Sequence, residues 1–268
     1  MVYKATAFFE RDFHIQASYR LNFVLRLIRI FVATATFYFI SQSLGTTVTS
    51  YLDRYRSDYF HFVLLGVAFY PFMSLSLGNM ADAVGRYQQD GVLEILFISP
   101  TPILTTLTLS TLWNYSWTLL QALLYLLIAG ALFQAQLAWA NLAVAGLLVL
   151  WGIAANVGLG LINASFVLVT KRASPLIYLS SLATNLLAGL FYPVEVLPEQ
   201  IRWLSYLLPA TYVFDAVRQL LLQSTSLTDV RWHLAVLSGF ALVLLPLGLI
   251  TFRYAVRRAK IEGSLTQY

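Results

Sequence analysis

The stretch 85–100, Gly85-Arg86-Tyr87-Gln88-Gln89-Asp90-Gly91-Val92-Leu93-Glu94-Ile95-Leu96-Phe97-Ile98-Ser99-Pro100, decides how the rest of the chain is read, because it is a short amphipathic segment between two long apolar ones. Its polar half, Arg86-Tyr87-Gln88-Gln89-Asp90, cannot sit in hydrocarbon. Its apolar half, residues 92–98, falls far short of the roughly 20 residues that a membrane-spanning helix needs. The segment is therefore expected to lie at a membrane surface as a helix broken by Gly91 and ended by Ser99-Pro100. Placed there, it offers a soluble partner a rigid handle on the two membrane helices it joins. An ordinary amphipathic loop between spans has the same composition.

The flanking sequence sets the class. A soluble chain of this length carries about a quarter charged residues, whereas this one is 11% charged and 59% hydrophobic, with a mean hydropathy of +0.72. The apolar stretches are long and separate, which points to an all-α polytopic membrane protein and not to a barrel of alternating ten-residue strands. Cysteine is absent, so disulfides and thiolate metal sites play no part. No cleavable signal pattern opens the chain, since Glu10, Arg11, Asp12 and His14 interrupt the apolar residues there. The net charge of +5 has an ordinary cause in this class, because basic residues collect on the cytoplasmic side, so no nucleic-acid partner is implied.

Read in order, the sequence gives a single transmembrane domain over 1–268. Residues 1–20 place Ala5, Phe9, Phe13 and Ala17 on one stripe, the pattern of an interfacial helix in contact with membrane lipid. Six spans are expected, at about 21–44, 59–82, 103–133, 138–169, 175–192 and 232–254. In the second, Phe69, Phe72, Met73 and Ser76 share a face and Pro71 invites a kink. In the fifth, Tyr178, Ser181 and Asn185 share another. The fourth is rich in small residues, Gly146, Gly152, Ala154, Ala155, Gly158 and Gly160, which let another helix approach closely. Pro193 and Pro198 break the helical pattern, and two segments too short to cross follow, giving a re-entrant hairpin over 198–223. Asp215 and Arg218, three apart, are expected to pair there. Of the 17 basic residues, only Arg54, Arg56, Arg202, Arg218 and Arg231 fall on the hairpin side, so both termini and the 85–100 segment are expected in the cytoplasm.

Some chemistry is missing from the sequence. A Walker-A loop needs lysine directly after glycine, and the three lysines follow Tyr3, Thr170 and Ala259, so no ATP site of that kind and no catalytic residue is assigned to this chain. His14, His61 and His233 stand far apart near span ends, and no metal site is expected. Carriers driven by an ion gradient usually hold carboxylates at depth, whereas Asp58 and Asp82 flank a span and Glu195 and Asp215 sit by the hairpin. That weakens the alternative of a secondary transporter without removing it.

Two stretches, Gly91-Val92-Leu93-Glu94-Ile95-Leu96-Phe97-Ile98-Ser99-Pro100 and Gly189-Leu190-Phe191-Tyr192-Pro193-Val194-Glu195-Val196-Leu197-Pro198, the second continuing through Leu208-Pro209-Ala210-Thr211-Tyr212 to Asp215-Ala216-Val217-Arg218, give the chain a resemblance to a known family. It resembles the membrane subunit of type-2 ABC exporters, the permeases of bacterial drug, antibiotic, lipid and polysaccharide export. The resemblance implies an inner-membrane permease that dimerises with an identical or paralogous subunit and binds two cytoplasmic ATPase subunits, which hold the ATP and Mg. It further implies that 1–20 is a connecting helix and 85–100 a coupling helix. Arg86, Asp90, Gly91, Leu93, Glu94, Ser99 and Pro100 would then meet the ATPase, with Glu94 making the electrostatic contact. The pathway at the dimer interface maps onto Phe69, Phe72, Met73, Tyr178, Ser181 and Asn185. Pro193, Pro198, Asp215 and Arg218 map onto the outer gate, and the substrate implied is an amphiphilic drug, natural product, lipid or glycan.

Overall fold

The computed structural model describes residues 20–45, 51–99, 101–171 and 175–261. Nearly all of the expected connecting helix, residues 1–19, lies outside them. Among the described residues, five helices are long and apolar enough to cross a membrane: α1 (Arg20–Leu44), α2 (Tyr59–Gln89), α4 (Ile103–Phe133), α5 (Leu142–Thr170) and α9 (Arg231–Ile261). The shorter helices are α3 (Leu93–Ile98), α6 (Pro175–Leu187), α7 (Glu199–Ser205) and α8 (Pro209–Leu222). No strand occurs among the described residues.

Helix α5 is the centre of the bundle, packed along α9 on one side and α2 on the other. Its small residues explain why. A Cβ on Gly158 would stand 2.2 Å from the Leu244 carbonyl oxygen, and one on Gly248 would stand 2.3 Å from the Gly158 carbonyl oxygen, so α5 and α9 meet backbone to backbone. Two residues on, about half a turn round, a Cβ on Gly160 would be 2.2 Å from the Ser76 carbonyl oxygen of α2. Gly146 has open space instead. Two polar contacts at depth run between helices, where hydrocarbon offers no other partner. Asn163 Nδ2 donates to the Leu77 carbonyl (3.0 Å) and Asn114 Nδ2 to Asn79 Oδ1 (2.8 Å).

The two larger apolar cores lie toward the two ends of the bundle. One gathers Phe69, Phe72, Met73, Leu148, Val213 and Phe214, and the other Val84, Leu93, Leu107, Leu161 and Phe252. The first end also holds the turn Asp53–Tyr55, the α4–α5 link and the α7–α8 hairpin. The second holds α3 and the C-terminal turns of α9.

The structure corrects two of the expected boundaries. The second span does not stop at residue 82, since α2 runs unbroken through Pro71 to Gln89 and takes up the polar turn Arg86–Gln89. The expected fifth span at 175–192 is a helix of 13 residues ending at Leu187, about 20 Å long at 1.5 Å per residue and too short to cross alone. The chain turns out of the helix at Gly189, whose φ of +76° suits glycine. Side chains then take the carbonyls that a further turn would have used: the Tyr192 hydroxyl donates to Leu186, and the Arg218 guanidinium to Gly189 (2.7 Å) and Leu190 (3.0 Å).

Candidate coupling segment, pathway face and polar cavity

The amphipathic segment is built from the end of α2, a tight corner and α3. Gly91, at φ +66°, makes the corner, closed by bonds from the Gly91 amide to the Gln88 carbonyl (3.2 Å) and from the Val92 amide to the Tyr87 carbonyl (3.0 Å). Buried Gln88 fastens the end of α2 to α5 by donating to the Leu168 carbonyl (3.1 Å). Leu93 is only 3% exposed and joins the second core, while the Lys260 ammonium stands 5.2 Å from the centre of the Phe97 ring. Ile95 and Ile98, 63% and 85% exposed, point away from the bundle, and Arg86, Asp90 and Gly91 are exposed beside them. Ser99 closes α3 and its hydroxyl accepts from the Thr101 amide (3.2 Å). The Glu94 side chain and Pro100 lie outside the described residues.

The residues expected to line a pathway separate into two groups. Phe69, Phe72 and Met73 are buried within the chain itself, where Met73 meets Gly152 and Asn156 of α5, so they offer no open surface in this conformation. The α2 face that turns toward α6 lies elsewhere on the helix. A Cβ on Gly78 would touch Asp82 Oδ2 (3.6 Å) and Ile177 Cγ2 (3.7 Å), and Asp82 is exposed. On α6, Tyr178 is 70% exposed and Ser181 and Asn185 are half-buried, while Thr184 is the buried residue of that helix.

A polar cluster at the hairpin end departs most from expectation. Asp215 and Arg218 do not pair. One Asp215 oxygen accepts from the Tyr55 hydroxyl (2.8 Å), and the other lies 3.0 Å from Arg54 Nη2 and 2.9 Å from His233 Nε2. Burial alone would raise the Asp215 carboxyl. The His233 hydrogen bond, the Arg54 charge and the Tyr55 hydroxyl outweigh burial and hold it at about 2. Arg54 also meets Glu195 Oε1 (2.6 Å), and Gln223 donates to the Arg54 carbonyl, so the α1–α2 loop is tied to the Glu195 turn and, through Asp215 and Gln223, to the hairpin.

Arg218 is fully buried, with its guanidinium 3.5 Å from the centre of the Phe62 ring, and it donates to three backbone carbonyls, those of Phe62 (3.1 Å), Gly189 and Leu190. The guanidinium presents five N–H donors in a fixed planar fork, which suits carbonyls converging from different segments. Pro193 and Pro198 cap the turn Val194–Val196 and α7, and Arg202 clasps the carbonyls of Glu195 (2.8 Å) and Leu197 (2.9 Å). Around these groups lies a cavity of about 270 Å³. Sequence reasoning named Asp215 and Arg218 but missed Arg54, Tyr55, Glu195 and His233. The available signal was the charge density of residues 53–58 opposite a proline-bounded Glu195, at an end of the bundle where each charge needs a partner.

The comparison with individual curated proteins finds no match. The sequence model of the family described as ABC-2 type transporter matches residues 4–222, which take in helices α1 to α8 and the whole 85–100 segment. The match covers most of the chain and agrees with the all-helical, multi-span architecture, so the protein is a transmembrane permease component that belongs to the ABC-2 type transporter family.

Proposed function

We propose that the chain is the membrane half of an ATP-driven exporter, coupled through residues 85–100 to a separate ATPase. The observation that carries this reading is α3, a six-residue helix clamped to the bundle by Leu93 and Phe97 while Ile95 and Ile98 stand uncovered at its outer surface. Apolar side chains exposed at a polar, water-facing corner suit docking of a soluble partner. On this reading two copies of a cytoplasmic ATPase hold the ATP and Mg, and a second permease subunit, identical or paralogous, completes the pathway. The end carrying α3 faces the cytoplasm of a bacterium, with both termini, in keeping with the unequal spread of lysine and arginine.

ATP-driven closure of the partner pushes on α3 and on the connecting helix 1–20, supplying the differential contact energy that a change of state requires. Arg86, Asp90 and Glu94 make the polar contacts, and Gly91 and Ser99-Pro100 bound the rigid unit. The pathway runs along the α6 face carrying Tyr178, Ser181 and Asn185, opposite the Gly78 and Asp82 face of α2. The hairpin 198–223 is the outer gate. Pro193 and Pro198 fix its elbow, and Asp215 and Arg218 fasten it by separate networks. The substrate is an amphiphile of the drug, natural-product, lipid or glycan kind.

The test is Glu94→Arg in the complex reconstituted with its ATPase. Membrane insertion is expected to be unchanged and substrate-stimulated ATP hydrolysis to be lost. Stimulation equal to that of the unaltered complex refutes the role given to this segment.

A further inference from the structure

We infer that the cavity beside Asp215 is a binding site for a small organic ammonium, a ligand bearing a positively charged amine on an apolar body. The argument rests on an open carboxylate oxygen beside aromatic surface. His233 Nδ1 has no partner, but the strongest donors around the cavity are engaged. Arg54 donates to Glu195 and Asp215, Tyr55 to Asp215, and Arg218 to three carbonyls. Thr211 donates to the Ser205 carbonyl (2.6 Å), and Tyr212 to the Tyr206 carbonyl (3.1 Å).

Acceptor capacity and aromatic surface remain. Glu195 meets Arg54 through Oε1, which leaves Oε2 open on a half-exposed side chain. The rings of Tyr206 and Trp232 line the same space, and Trp232 is 67% exposed. A ligand that brings donors and positive charge fits such a lining. Aromatic faces next to a carboxylate attract ammonium groups. A volume of about 270 Å³ admits an amine with a ring or short chain and stands at the small end of ligand pockets. A metal ion is a poorer match, because no group of three potential ligands gathers among the described residues.

This assignment goes beyond the transport reading and uses it only for the side from which the ligand arrives. The bound amine occupies the mouth next to the Arg54–Glu195 pair, where it competes for Glu195 and loosens the tie between loop and hairpin.

The experiment is calorimetric titration of the purified full-length chain in nanodiscs, where both faces are open to solution, with phenethylammonium chloride as the probe. Phenethyl alcohol and phenylpropionate serve as the uncharged and anionic counterparts. Binding of the ammonium alone is expected, weakened about tenfold or more by Glu195→Gln and by Trp232→Leu, two substitutions at exposed side chains. Equal binding of the alcohol overturns the inference, as does no ammonium binding up to about 10 mM or binding that both variants leave unaltered. Because no ATPase takes part, failure here speaks to the cavity, whereas failure of the Glu94→Arg test speaks to α3.

Discussion

Replacing Asp215 by asparagine removes the charge at the centre of the hairpin network while keeping the shape of the side chain, and the cost depends on pH in a calculable way. The Asp215 carboxyl stands at about 2 in the folded chain against an ordinary 3.8. Each unit of difference between folded and unfolded states is worth about 1.4 kcal/mol, so the ionised carboxylate contributes about 2 kcal/mol. Because the folded value is the depressed one, that contribution is complete above about pH 5 and drains away as pH falls through about 2.

The assay is reversible unfolding of the purified chain in mixed micelles at a series of pH values, run on the unaltered protein and on Asp215→Asn. The difference between them is the useful quantity, since groups common to both chains largely cancel in it. The unaltered protein is expected to be more stable by at least about 2 kcal/mol at pH 6, with the gap closing by about that amount near pH 2. A gap that stays constant over this range refutes the argument that Arg54, Tyr55 and His233 hold Asp215 ionised.

Two further outcomes rest on geometry alone. Gly158→Ala places a methyl group against the Leu244 backbone, which cannot swing aside, and is expected to cost about 3 kcal/mol, whereas the same change at open Gly146 gains up to about 1 kcal/mol from helix propensity; equal unfolding free energies for the two variants refute the backbone-to-backbone packing of α5 and α9. Ile98→Asp alters a side chain that touches little of the bundle, so it is expected to leave stability within about 0.5 kcal/mol while weakening ATPase capture in a pull-down about tenfold or more, whereas Leu93→Ala lowers stability itself by about 2 kcal/mol or more; a loss of stability with unchanged capture for Ile98→Asp reverses the assignment of the two faces of α3.

The long helices were legible because hydropathy reports them directly: where apolar residues run past twenty without charge, α4, α5 and α9 follow. Gly91 was legible too, as a break between a polar and an apolar half-segment. The end of α2 was misplaced because Arg86 and Gln89 read as surface residues. Nothing in the sequence says that a surface turn continues a buried helix, and Gln88 reveals it only by reaching the Leu168 carbonyl across 80 positions. The short α6 was hidden for a similar reason. Its end is set by Arg218, 29 residues beyond Gly189, whose guanidinium takes carbonyls that a longer helix would have bonded internally. Spacing of three suggested that Arg218 pairs with Asp215, but local spacing cannot foresee that a loop residue such as Arg54 outcompetes a neighbour on the same helix. The resemblance mapped a pathway onto the Phe69, Phe72 and Met73 face of α2, and helical periodicity says that these residues lie together without saying whether the face turns inward or outward.

The contact between Gly160 and the Ser76 carbonyl fixes α2 against α5 at one level, with no side chain between them to absorb movement. About 18 Å further along, Gln88 pins the same two helices again through the Leu168 carbonyl. Helices α2 and α5 therefore move as one rigid body, and a push at the α3 end is carried along α2, which is continuous through Pro71, without being lost in sliding between the helices. The far end of that body carries Phe62, whose ring and carbonyl both rest on Arg218, the residue that holds the elbow of the hairpin in place.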